Sequence, residues 1–128
     1  HIYFNDRMKT IACGMYAALR MIEHLSNTNK TLAFEVDQLT KYYSTPEIKY
    51  EFSDDKKEEV VENIKQYCIR KNYTINTIDG VKVSFEDGSW ALIRKSNTGP
   101  HITVRYEAST EERLEEIKNE FTKEIIKN

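Results

Sequence analysis

The sequence predicts an α+β fold: a four-stranded antiparallel sheet with two helices on one face, preceded by a short, mostly helical segment. Three observations carry this. Apolar residues alternate with polar ones through Val81, Val83 and Phe85 and again through Ile102, Val104 and Tyr106, the period-two pattern of half-buried strands. The pairs Asp79-Gly80 and Asp87-Gly88 supply residues that accept positive φ, as tight turns between antiparallel strands require. Two long stretches carry their apolar residues at helical spacing instead.

Taken in chain order, Ile2, Tyr3 and Phe4 read as a short strand, and Met15, Leu19, Ile22 and Leu25 as one face of a helix. Leu32, Val36 and Leu39 suggest a second helix ending near Tyr43, where Ser44-Thr45-Pro46 breaks the pattern. A domain boundary is placed there, giving segments 1–45 and 46–128, with Pro46 as the hinge. Residues 47–52 form a strand. Ser53 with the acids Asp54 and Asp55 opens a helix to about Arg70, whose core stripe is Val60, Val61, Ile64, Tyr67 and Cys68. Strands are expected at 73–78, 81–86, 90–94 and 102–107, the middle ones joined as a meander. A capping box of Ser109 and Glu112 starts the last helix, with Leu114, Ile117, Phe121 and Ile125 facing the sheet.

Composition sets limits. With 128 residues, a single core and a short appendage are expected. Nineteen basic against 21 acidic residues leave a net charge of −2, too even to hold a polyanion by counterion release, so no nucleic-acid partner is expected. No apolar run reaches the roughly 20 residues that span a bilayer, and no membrane partner is expected. Cys13 and Cys68 form no metal-spaced pair and no disulfide framework, which fits a reduced cytoplasmic setting and no metal site.

The segment Arg94-Lys95-Ser96-Asn97-Thr98-Gly99-Pro100 joins two predicted strands and is unusually rich in donors. Arg94 offers a planar fork for a phosphate, and Ser96, Asn97, Thr98 and the loop N–H groups add neutral donors. The same residue types also serve any polar hairpin turn. Other candidates read as structural. His101 falls with Thr103 and Arg105 on the less apolar face as a solvated residue, and His24 has no partner at ligand spacing. Cys13 and Cys68 read as small hydrophobes, and Arg105 either reaches the loop or pairs across strands.

The runs Asp79-Gly80-Val81-Lys82-Val83, Trp90-Ala91-Leu92-Ile93-Arg94, Ser96-Asn97-Thr98 with Pro100, and Arg105-Tyr106-Glu107-Ala108 together resemble the last domain of the α-D-phosphohexomutases. Upstream, His1-Ile2-Tyr3-Phe4, Arg7, Gly14, Tyr16, Arg20 and Ser44-Thr45-Pro46-Glu47 resemble the end of the third domain and its hinge, whereas Ala12 and Cys13 stand where the family usually has an acidic pair. The resemblance implies that Arg94, Ser96, Asn97 and Thr98 hold the phosphate that is not being transferred. It implies that His1 ends a sugar-recognition loop. The Asn at 97 and Gly at 99 resemble the phosphomannomutase/phosphoglucomutase branch more than the phosphoglucosamine mutases.

By the same resemblance the whole protein moves phosphate between C1 and C6 of mannose or glucose phosphates through a phosphoserine, with Mg²⁺ as cofactor. The serine and metal loops would lie upstream, in domains that partner this one. No catalytic residue falls within these 128 residues, which are expected to be inactive alone. Two alternatives stand beside this: a phosphoglucosamine mutase, and a non-catalytic binding module using the open sheet face.

Overall fold

A computed structural model describes residues 2–7, 9 and 11–127, and its chain divides into two compact units, residues 1–40 and 41–128. The first unit is built on α1 (Gly14–Asn27) and α2 (Leu32–Asp37). Tyr3 bridges Ala12, so the strand expected at 2–4 is reduced to one isolated pair, and Phe4 meets Tyr16 edge to face at 5.2 Å. Thr31 caps α2 by accepting from the Phe34 N–H at 3.2 Å. This helix stops at Asp37, short of Tyr43, because the chain turns there and Tyr43 is taken up by the sheet.

The second unit contains β1 (Tyr43–Ser44), β2 (Ile48–Glu51), α3 (Asp54–Arg70), β3 (Thr74–Asn76), β4 (Val81–Ser84), β5 (Trp90–Lys95), β6 (His101–Ala108) and α4 (Glu111–Ile126). The sheet has six strands rather than four, all paired antiparallel, in the order β1-β6-β5-β4-β3 with β2 also on β6. The extra pairing arises because β6 is eight residues long and accepts two short segments on one edge. Tyr43 and Ser44 face Ala108 and Glu107, and Ile48 to Glu51 face Val104 to His101.

Between those segments Thr45, Pro46 and Glu47 face only Tyr106 and Arg105, a one-residue bulge. Pro46 lacks an N–H, so an irregular edge position suits it. Thr45 keeps the edge tied down: its N–H donates to the Tyr106 carbonyl at 3.1 Å, and its hydroxyl accepts from the Tyr106 N–H at 3.2 Å. The sheet therefore begins before the Ser44-Thr45-Pro46 break.

Alternation decides what each face carries. Val81, Val83, Ala91, Ile93, Ile102, Val104, Tyr106 and Ala108 are buried on one face, against Val60, Ile64 and Cys68 of α3 and Leu114, Ile117, Phe121 and Ile125 of α4. Tyr67 meets Phe121 edge to face at 6.2 Å. The hydroxyls of Tyr67 and Tyr73 both donate to Glu120 Oε1 at 2.7 Å, fastening α4 to α3 and to the start of β3. The N-cap of α4 is Thr110, one residue beyond Ser109; its hydroxyl accepts from the Arg113 N–H at 3.2 Å. The acids Glu111 and Glu112 then fall in the first turn, where they favour the helix dipole.

Candidate functional site

Strands β5 and β6 run side by side with Arg94 opposite Thr103 and Lys95 opposite Ile102, and the loop 96–100 connects them. Its neck is closed by the Ser96 N–H donating to the His101 carbonyl at 2.9 Å and the His101 N–H donating to the Gly99 carbonyl at 2.9 Å. The loop is thus a continuation of the β5–β6 pairing, which runs over six positions from Trp90 to Lys95.

Arg94 lies on the face opposite buried Ile93, at the last turn of the pleat before the loop, with its side chain about one third exposed. Its guanidinium is 3.7 Å from Asp79 Oδ2. Asp79 leads the turn before β4, and Gly80 follows with φ +77°. A Cβ at Gly80 would stand 2.3 Å from the Ile93 carbonyl oxygen and 2.6 Å from Arg94 Cβ. Only glycine allows the turn to pass so close over Arg94.

Ser96 is 6% exposed, and its Oγ accepts from the Thr98 N–H at 3.1 Å while lying 3.2 Å from Thr98 Oγ1. Two hydroxyls are thereby brought together at one side of the loop, with Asn97 and Thr98 exposed. Two lysines flank them. Lys95 pairs with Glu58 of α3, and this contact holds the Glu58 carboxyl below its usual range. Lys57, also on α3, donates from Nζ to the carbonyls of Ser96 at 3.0 Å and Gly99 at 3.3 Å.

Four of the residues singled out from the sequence, Arg94, Ser96, Asn97 and Thr98, therefore share one strand end and its loop. His101 is half-buried instead of solvated, with its ring beside Gly99, where an added Cβ would be 2.8 Å from Nδ1. Pro46 sits in the edge bulge described above, and His1 lies outside the described residues. Lys57 and Asp79 gave no usable signal in the sequence: Lys57 stands in a run of six charged residues, and Asp79 reads simply as the first residue of a turn. Arg105 is exposed on β6, opposite Leu92.

Among the described residues no group of three or more His, Cys, Asp or Glu side chains is placed to hold a metal ion, and no helix is long and apolar enough to cross a membrane. Cys68 is fully buried, and burial pushes its thiol up to about 11, far from a thiolate nucleophile at neutral pH.

The fold and loop define an α+β domain that carries a donor-rich hairpin at the end of an antiparallel sheet. Residues 47–124 match the model of the phosphoglucomutase/phosphomannomutase C-terminal domain, and the chain belongs to that family. It is 34% identical over 98% of its length to the phosphomannomutase/phosphoglucomutase of Pseudomonas aeruginosa. Over 88% of its length it is 35% identical to a probable phosphoglucosamine mutase of Methanosphaera stadtmanae. The crystal structure of a phosphoglucomutase/phosphomannomutase family protein from Burkholderia thailandensis superposes with a TM-score of 0.80 over 98% of this chain, at 26% identity. The chain spans about a quarter of these relatives' length: 27%, 26% and 26% respectively.

Proposed function

We propose that residues 94–98 hold the non-transferred phosphate of a hexose phosphate, within a larger protein that moves phosphate between C1 and C6 of mannose or glucose. The observation that carries this is the composition and placement of the loop. A half-buried Arg fork stands at a strand end, followed by two hydroxyls 3.2 Å apart and an exposed Asn amide. Arg and neutral donors recognise a tetrahedral dianion without regard to the carbon that bears it, so one loop serves both orientations of the sugar.

The role is positional. Binding the remote phosphate fixes the sugar so that its other phosphate meets reacting groups elsewhere in the protein, and remote binding energy lowers the entropic part of the barrier. Those groups, and the Mg²⁺ implied for the whole enzyme, are assigned to parts of the protein outside this chain. Among the described residues no group of three or more His, Cys, Asp or Glu side chains is placed to hold the ion. The similarity to a probable phosphoglucosamine mutase keeps glucosamine phosphates as a second class of substrate.

The isolated chain should bind glucose 1-phosphate and glucose 6-phosphate alike, with Kd about millimolar, near −4 kcal/mol. The amide shifts in an NMR titration should concentrate at residues 94–100. Shifts scattered over the rest of the sheet would remove the assignment. In the whole enzyme Arg94→Ala should cost on the order of 2 to 5 kcal/mol in kcat/KM. An unchanged kcat/KM would do the same damage.

A further inference from the structure

We propose that Lys57 is a positioning residue for the loop 96–100, a role that rests on the phosphate reading above. An ammonium has three hydrogens to donate. Lys57 Nζ lies 2.7 Å from Asp54 Oδ1, 3.0 Å from the Ser96 carbonyl oxygen and 3.3 Å from that of Gly99, so all three are engaged inside the protein. Its side chain is only 14% exposed. With its hydrogens committed and its charge facing Asp54, Lys57 is built to hold the loop, not to reach a ligand.

Two consequences follow from peptide geometry. In a planar trans peptide the carbonyl and the N–H point in opposite directions. Drawing the Ser96 carbonyl toward Lys57 therefore turns the Asn97 N–H away from it, on the exposed part of the loop. An anion approaching the Ser96 and Thr98 hydroxyls then meets an N–H donor, and the carbonyl dipoles that would repel it are turned to a cation. The Gly99 carbonyl is held twice, by Lys57 and by the His101 N–H. Pro100 has no N–H to offer and ends the donor stretch. The loop is thus fixed at both ends before the phosphate arrives, which lowers the ordering cost of binding.

The test is an NMR titration of the ¹⁵N-labelled chain with glucose 1-phosphate, comparing the unaltered protein with Lys57→Met and Lys57→Arg. Lys57→Met should weaken binding about tenfold and move the Asn97 amide in the ligand-free spectrum, with the amides of Val83, Ile93 and Val104 unmoved. Lys57→Arg, which keeps the charge and enough donors for both carbonyls, should return affinity to within about threefold. Unaltered affinity in Lys57→Met overturns the role, as does an Arg variant as weak as the Met variant. Should Lys57→Met fail to fold, scalar couplings across the hydrogen bonds from Lys57 Nζ to the Ser96 and Gly99 carbonyl carbons decide the matter in the unaltered chain: their presence supports the tie and their absence refutes it. If glucose 1-phosphate shifts no amide between 94 and 98 in the unaltered protein, the phosphate reading itself fails. If those amides shift and Lys57→Met binds equally well, only the Lys57 role is lost.

Discussion

Residues 1–40 and 41–128 use similar side chains to opposite effect. Helix α1 has a clear apolar stripe, yet Met15 is 80%, Leu19 62% and Ile22 60% exposed, and neither α1 nor α2 contains a buried residue. Helices α3 and α4 are on average more polar along their length but bury Val60, Ile64, Cys68, Leu114, Ile117, Phe121 and Ile125 against the sheet. Amphipathicity is the same signal in both units. What differs is whether a complementary apolar face exists within the same stretch of chain. Short helices gain most of their stability from such packing, and among the described residues the second unit is the one that supplies it.

The largest expected effect lies at the centre of that packing. Phe121 is fully buried and touches Tyr67 and Tyr106, so Phe121→Ala should destabilise the second unit by about 3 to 5 kcal/mol, read as a large drop in the denaturant midpoint. A loss below about 1 kcal/mol would mean that α4 does not complete the core.

A second test uses the polar fastening of the same helix. Burial, reinforced by the bond to Glu120, pushes the Tyr73 hydroxyl from its ordinary value of 10.0 up to about 12. The unfolded chain then loses this proton before the folded one does. Tyr73 accordingly contributes stability that is fully present below pH 10 and lost as pH rises toward 12. Tyr73→Phe should cost about 1 kcal/mol at pH 7 through the lost hydrogen bond, while making stability fall less steeply between pH 10 and 12. An identical alkaline slope in the variant would show that Tyr73 is not held protonated by the fold.

Smaller still is the helix cap. Thr110→Ala should cost about 1 kcal/mol, and Ser109→Ala much less, because only Thr110 accepts from the Arg113 N–H. At the bottom of the scale, Leu19→Ala in α1 should change stability by no more than about 0.5 kcal/mol, since that side chain has little contact to lose. If Leu19→Ala rivalled Phe121→Ala, the contrast between the two units would collapse.

Much of the second unit was legible because its strands alternate strictly. Val81 and Val83, then Ile102, Val104 and Tyr106, announce both their strand and their buried face. The pairs Asp79-Gly80 and Asp87-Gly88 mark turns through positive φ, +77° at Gly80 and +81° at Gly88. β1 escaped notice because two residues carry no period, and Tyr43 could equally end a helix. The capping box pointed to Ser109 because Glu112 follows three residues later, yet it is the Thr110 hydroxyl that accepts from the Arg113 N–H and takes the cap, with Arg113 and no acid at the third helical position. The loop residues stood out by type, whereas their supports did not.

In the second unit the sequence by itself determined which residues face inward and where the chain reverses, and it showed which donors the loop 94–98 presents. These follow from local rules, strand and helix period and the φ preferences of glycine, that need no knowledge of distant residues. Tertiary structure alone decided that β6 takes both β1 and β2 across the bulge at Pro46, that Asp79 stands beside Arg94, and that Lys57 reaches beneath the loop to two carbonyls. Such contacts depend on how α3 lies across the sheet. That placement is fixed by the packing of the whole core, so no local pattern around Lys57 could have revealed it.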